Sequence, residues 1–298
     1  MQLGYSNIDL HTHTSFSDGS LTPAELLQRA ISRSINCLAI TDHDNIDAIP
    51  FAHKFNNKLT NPLQIINGVE ISADFNSLDI HIVALGFDVN NARMLELLAY
   101  NQEQRHARIK AIDMQLQKIG INSAYEGSLQ FALNNKLLSR YHLASWMKEQ
   151  GYSTSIAKVF NKYLVKGKVG YAPNNWQSVK EVVSVINAAG GYAVLAHPFR
   201  YKLNFTRTKS LVKYFKECGG SAIEVQNSAQ ARTERDSLLL LAENFDLYGS
   251  VGSDFHFPSP MIDLGKNLFI DNDKCNWLWN DPQWNEICVS SESYLSNL

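Results

Sequence analysis

One figure recurs along this 298-residue chain: a short apolar run, a cluster of histidines or carboxylates where it ends, then an amphipathic stretch. The apolar runs are Asn7–Leu10, Cys37–Thr41, Leu63–Val69, Ile80–Phe87, Tyr192–Ala196, Ala222–Val225 and Tyr248–Val251. Helical patterns fall between most of them, at about Asn45–Asn57, Lys209–Glu217 and Ala231–Asn244. Thr22-Pro23-Ala24-Glu25 opens another: Thr22 can cap it, Pro23 suits the first turn, and Glu25 can reach back to the cap. Ser178 with Glu181 repeats that capping logic. Strand–helix alternation implies an α/β fold with a parallel sheet, and this many strands could close it into a barrel.

Residues 90–174 break the alternation. No convincing strand appears there, and Leu95, Leu98, Ile109, Ile112, Leu116 and Ile119 recur at near-helical spacing. We read 90–174 as a helical insertion and 1–89 with 175–298 as the barrel. The charge is divided the same way. Against a net −2, residues 101–170 hold 11 Lys/Arg and 4 Asp/Glu, so a basic segment sits on an acidic body. Cys37, Cys218, Cys275 and Cys288 form no C-x-x-C pair, which argues against a thiolate zinc site or a disulfide framework. Met1–Leu10 lacks the pattern of a secretory signal, and no run approaches the ~18 apolar residues of a membrane span. The expectation is a cytoplasmic protein.

The polar clusters carry the chemistry. Asp9-Leu10-His11-Thr12-His13 ends the first strand, with Asp18 in the loop beyond. Thr41-Asp42-His43-Asp44 ends the second, and Gly68-Val69-Glu70 the third. His81 opens the next, Ala196-His197-Pro198 ends a later one, and Gly252-Ser253-Asp254-Phe255-His256 ends the last. In a barrel of this kind the carboxyl ends of the strands are where sites are built. Residues two apart on a strand face the same side, so His11 and His13 can meet one ion, as can Asp254 and His256. Mixed imidazole and carboxylate donors suit zinc, manganese or iron. Any one histidine is more simply a hydrogen-bonded core residue. Nine such residues together exceed the coordination of one ion and call for two or three divalent ions, with a carboxylate such as Glu70 as bridge.

In this order, D-x-H-x-H, T-D-H-D, G-V-E-I-S, H-I-V, A-H-P and G-S-D-F-H resemble the polymerase and histidinol phosphatase (PHP) family. Arg105-His106-Ala107-Arg108, Ser139-Arg140-Tyr141-His142 and Tyr163–Lys168 are similar to one branch of it. That branch holds 3′,5′-nucleotide bisphosphate phosphatases and ribonuclease AM, a 5′-to-3′ exoribonuclease. The resemblance covers nearly the whole chain and is weakest in the final thirty residues. It implies a distorted seven-stranded β/α barrel with a helical insertion. It also implies three metal positions, held by His11, His13, Glu70 and Asp254; by Glu70, His81 and His197; and by Asp18, His43 and His256. The branch is usually described with manganese.

The implied reaction is attack of activated water on phosphorus in line with the sugar 3′-oxygen. Asp18, His43 and His256 are the candidates for acting at the reacting phosphate, with Asp18 and His43 also positioning it. Arg105, Arg108 and Arg140 are the candidates for gripping a second phosphate, since guanidinium binds such oxygens as a fork. One bond then serves both substrates: cutting phosphorus from the 3′-oxygen dephosphorylates a 3′,5′-bisphosphonucleotide and releases a 5′-mononucleotide from 5′-phosphorylated RNA. A phosphatase of another small ester, such as histidinol phosphate, is the alternative, although one small phosphate needs no second receptor. A non-catalytic metal-bound module is the third reading, disfavoured because every ligand position is filled.

The neighbouring residues carry plainer expectations. Asp9, Asp42 and Asp44 are expected to orient histidines, and His53 to lie on the surface. His142 is a candidate for contacting substrate, Arg200 and Tyr201 for lining the pocket, and Glu224 is expected to be buried near the site or paired. Phe75 and Ser259-Pro260-Met261 depart from the branch at positions read as adjoining the site.

Overall fold

The computed structural model describes residues 7–133, 137–270 and 275–286; Cys288, with most of Met1–Leu10, lies outside them. Seven strands form one sheet in chain order: β1 (Ile8–Asp9), β2 (Cys37–Ile40), β3 (Gln64–Phe75), β4 (Leu78–Leu85), β5 (Tyr192–Leu195), β6 (Ala222–Gln226) and β7 (Tyr248–Val251). The chain beyond β1 meets the chain beyond β7. Leu10 N donates to Val251 O at 3.1 Å and His13 N to Phe255 O at 2.9 Å, which nearly closes the barrel.

The sheet is not wholly parallel, contrary to the expectation from alternation. β4 runs antiparallel to both β3 and β5, while the other neighbours are parallel. The cause is local. No helix separates β3 from β4, and the link is a two-residue turn, Asn76-Ser77, with φ of 53° and 64°. Both residues in the left-handed region match the twist of a tight hairpin. β3 also continues five residues past Glu70, because β4 keeps pairing with it as far as Phe75↔Leu78. The reversal matters for the site: the start of β4, not its end, lies at the face where the parallel strands finish.

The outer helices are α1 (Pro23–Ser32), α2 (Ala48–Asn56), α7 (Val179–Ala188), α8 (Phe205–Glu217) and α9 (Arg232–Asn244). The capping boxes of Thr22/Glu25 and Ser178/Glu181 are both formed. Between β4 and α7 the helices are α3 (Ala92–Gln117), α4 (Ala124–Leu129), α5 (Arg140–Glu149) and α6 (Ile156–Val159), with a π-turn at Phe160–Leu164. The 26-residue α3 belongs to two cores. Met94, Leu97 and Leu98 pack on the barrel, whereas Ile109, Ile112 and Leu116 join a separate cluster with Leu143, Met147 and Leu164. Leu95 and Ile119, counted in the helical pattern, are exposed instead. Leu95 sits off the stripe of Met94, Leu97 and Leu98, and Ile119 lies past the helix end. No helix among the described residues is long and apolar enough to cross a membrane, and Cys37, Cys218 and Cys275 form no disulfide among the described residues.

Candidate active site

All nine expected ligands meet at one end of the barrel, and Glu70 is at their centre. Its Oε1 lies 2.7 Å from His81 Nδ1 and 2.8 Å from His197 Nε2. Its Oε2 lies 2.9 Å from His43 Nδ1, 3.2 Å from His13 Nε2 and 3.3 Å from His11 Nε2. One buried carboxylate therefore faces five imidazoles. Asp254 Oδ1 stands 3.1 Å from His13 Nε2, and Asp18 Oδ1 stands 3.3 Å from His256 Nε2 and 3.7 Å from His43 Nε2.

This donor set fits cations better than it fits a hydrogen-bond network. Asp18 Oδ1, His43 Nδ1, Glu70 Oε2 and His197 Nδ1 are buried without a hydrogen bond. Buried polar atoms left unpaired in this way need another partner. Ligand atoms fall into three overlapping groups: His11, His13, Glu70 and Asp254; His13, Asp18, His43 and His256; and His43, Glu70 and His81. The first equals a set expected from the resemblance. The second adds His13 to an expected set, and the third has His43 where His197 was expected, although His197 also reaches Glu70.

Electrostatics and backbone agree with that. Burial opposes ionisation of Asp18, Glu70 and Asp254, yet neighbouring imidazoles, and Arg200 beside Asp254, hold all three well below the carboxylate range. Burial likewise opposes a charged His13, but Asp254 and Glu70 raise it to about 10. His197 and Asp254 have φ of 30° and 53°, a costly conformation for non-glycine residues that the packing holds in place. Gly252 sits against His11: an added Cβ would fall 2.2 Å from His11 Cβ, so a side chain there would push the ligand strand away.

The surrounding carboxylates behave differently from expectation. Asp9 orients no ring: it accepts from Ser253 N and Gly265 N, tying β1 to the loop after β7. Asp42 accepts from Thr14 N, Thr14 Oγ1 and Ser17 Oγ, which stabilises the loop carrying Asp18, and it reaches a ring only through the Ser17 hydroxyl, 3.5 Å from His13 Nδ1. Asp44 touches no histidine either. It accepts from Ser72, Asn101 Nδ2 and Arg105 Nε, the last at 2.8 Å. The residue that does orient ligands is Glu224: His11 Nδ1 donates to it at 3.0 Å and His197 N at 2.7 Å. Such partners fix the ring and its tautomer. We expect Glu224→Gln to lower metal affinity about 10–100-fold, measured by metal titration of the purified protein, with the denaturation midpoint as the check on folding.

A cavity of about 510 Å³ opens over the cluster. Asp18, His43, Glu70, His81, His197, Asp254 and His256 line its floor. Arg105, Arg108 and Arg140 line its wall, so the expected phosphate grips share the space of the expected ligands. None of the three is an ordinary surface arginine. Arg105 is paired with Asp44. Arg108 donates to Ala172 O and Asp79, and Arg140 lies 3.7 Å from Asp79. Burial and the adjacent Arg108 guanidinium push Arg140 down to about 10, so it remains a cation at neutral pH. Arg200 and Tyr201 also line the cavity. Arg200 pairs with Asp254, and Tyr201 Oη donates to Ala196 O at 2.8 Å and accepts from His81 N at 2.9 Å.

Three expectations fail here. His53 is buried and donates to Asn67 Oδ1 at 2.9 Å, because α2 turns that face onto β3. His142 does not line the cavity: it accepts from Ser139 N and donates to Ser17 O at 3.0 Å, bracing α5 against the Asp18 loop. Phe75 packs on Tyr214 and Ser259 caps its own turn, so neither lines the cavity, whereas Phe257 does. Sequence reading also missed Asp79 and Trp176 in the wall. Asp79 is two residues before His81 on a strand, so the rule that paired His11 with His13 would have found it; nothing local flags Trp176.

The chain belongs to the PHP domain family, whose profile matches residues 9–258. Among its relatives, the 5′-3′ exoribonuclease Rnm of Salmonella typhimurium is 43% identical over 262 residues, covering 88% of this chain and 89% of that one. The 3′,5′-nucleoside bisphosphate phosphatase of Chromobacterium violaceum is 36% identical, covering 85% and 88%. A solved amidohydrolase of Chromobacterium violaceum, holding sulfate and no metal, superposes with a TM-score of 0.84 at 34% identity, over 95% and 96% of the chains.

Proposed function

We propose that this chain is a metal-dependent hydrolase that cuts the bond between phosphorus and a sugar 3′-oxygen. Its substrates are 3′,5′-bisphosphonucleotides and 5′-phosphorylated RNA, from which it releases 5′-mononucleotides. The observation that carries this reading is a single cavity lined on its floor by imidazoles and carboxylates and on its wall by three arginines. Relatives whose names specify these two activities support it.

In this reading His11, His13, Glu70 and Asp254 hold one divalent ion, Glu70, His81 and His197 a second, and Asp18, His43 and His256 a third. The ions, manganese by this account, acidify water and neutralise phosphoryl charge when bound. The protein does the rest. Asp18, His43 and His256 present the reacting phosphate to the floor, and Glu224 keeps His11 turned towards Glu70. Residues 90–174 serve as the receptor, and Arg105, Arg108 and Arg140 fix the 5′-phosphate so that the 3′-oxygen lies over the floor. The 5′-phosphate is a handle and is not cut.

The test compares initial rates of the manganese-loaded protein on one RNA sequence with a 5′-phosphate and with a 5′-hydroxyl, and on histidinol phosphate. A charge-assisted hydrogen bond contributes ~1.5–3 kcal/mol, so the 5′-hydroxyl RNA should be cut roughly 10- to 100-fold more slowly. Equal rates on the two RNAs would remove the handle from the account. Preference for histidinol phosphate would replace the substrate class.

A further inference from the structure

Asp79 has no part in the mechanism above, yet it stands at the middle of the receptor. On β4 it is two residues before His81, so the two side chains leave the same face of the strand. His81 reaches Glu70 on the floor, and Asp79 reaches the arginines on the wall. Asp79 Oδ2 accepts from Arg108 Nη1 and Nη2, both at 3.2 Å, and Oδ1 accepts from Trp176 Nε1 at 2.8 Å. Arg140 Nη2 stands 3.7 Å from Oδ2, an ion pair with no hydrogen bond between the two.

The three arginines are thus held unequally. The Arg105–Asp44 pair is closed by Ser72 and Asn101, and the Asp44 side chain is fully buried. Arg140 and Asp79 have side chains 33% and 28% exposed, and their contact is the longest of the set. Arg140 can therefore change partners at little cost, and Arg105 cannot.

A carboxylate inside a phosphate receptor weakens it. It occupies donors that the phosphate would use, and it repels the anion. On the function proposed above, that weakening is useful. The product, a nucleoside 5′-monophosphate, keeps the same handle by which the substrate was gripped. A receptor of arginines alone would hold product as firmly as substrate and would clear slowly after each cut.

We propose that Asp79 is the release element of the receptor, an exchangeable counter-ion for Arg140. It yields the guanidinium when a 5′-phosphate enters and takes it back as the 5′-monophosphate leaves. The inference rests on the reading of the arginines as the 5′-phosphate receptor.

The experiment measures inhibition of the manganese-loaded full chain by adenosine 5′-monophosphate and by adenosine, with kcat and KM on adenosine 3′,5′-bisphosphate. It uses the wild type, Asp79→Asn and Asp79→Glu. Asp79→Asn keeps the shape and the acceptor for Trp176 but removes the charge. Its Ki for the monophosphate should fall about tenfold, with kcat and KM falling together and adenosine inhibition unchanged. Asp79→Glu should return all three towards wild type. If Asp79 only holds Arg108 and Arg140 in place, Asp79→Asn will instead bind the monophosphate more weakly, which overturns the release role and leaves the receptor standing. A wild type that binds adenosine as well as its monophosphate overturns the receptor and its release element together.

Discussion

Glu70→Gln is expected to lower kcat by about 10³-fold or more while the chain still folds. The amide has the size of the carboxylate, but it cannot bridge cations or balance five imidazoles. Metal ions contribute several kcal/mol of transition-state charge stabilisation, and each ~1.36 kcal/mol is a factor of ten in rate. The direct companion to kcat is the metal content per chain by elemental analysis. Glu70 sits within 3.3 Å of all five rings, so its loss should cost bound metal as well as turnover. Wild-type turnover in the variant would show that the cluster is not the catalytic floor.

Asp44→Asn is expected to be the most destabilising single change near the site, by ~3–5 kcal/mol, because it leaves Arg105 buried beside a neutral partner. Denaturant unfolding would measure it. The pH dependence gives a second check. Burial opposes ionisation of Asp44, but Arg105, Asn101 and Ser72 outweigh it and hold the carboxyl below its unfolded value of 3.8. A depressed folded pKa means that the stabilisation is complete above pH 3.8 and is lost as the pH falls through the folded value. The gap between wild type and variant should therefore stay level from neutral pH down to about 4 and narrow below it. A gap that narrows at neutral pH would mean that Asp44 is not held as an ion.

The floor of the site was legible because metal chemistry restricts residue types and because a strand has a period of two. His-x-His at a strand end places two candidate ligands on one side before any fold is known, whereas Asp254 and His256 fall in different ligand groups because Asp254 has a left-handed backbone. The antiparallel β4 was less legible. Alternation suggested parallel pairing, and the deciding feature was two residues, Asn76-Ser77, whose left-handed backbone makes a hairpin. That reversal explains why His81, at the start of its strand, joins ligands at the ends of the others. The carboxylates around the floor were the least legible. Asp9, Asp42 and Asp44 adjoin ligands in sequence but point at backbone amides, hydroxyls and an arginine. Glu224 adjoins none in sequence and orients two of them. Adjacency along a strand alternates faces, so Asp42 and Asp44 point away from the side that His43 faces; Asp9 is two before His11, and its carboxylate is taken up instead by the amides of Ser253 and Gly265. Arg105, Arg108 and Arg140 were visible as charge, but the pairing of Arg105 with Asp44 and of Arg108 with Asp79 depends on α3 crossing both cores, and Arg140 comes to Asp79 from α5.

The central claim is that the 5′-phosphate is held and the 3′-phosphate is cut. Phosphorus NMR of a single turnover of adenosine 3′,5′-bisphosphate, under manganese-loaded enzyme in excess, tests it most directly. The account predicts inorganic phosphate with adenosine 5′-monophosphate as the sole nucleotide; adenosine 3′-monophosphate would contradict it, because the wall would then face the phosphate that is kept on the other side of the sugar.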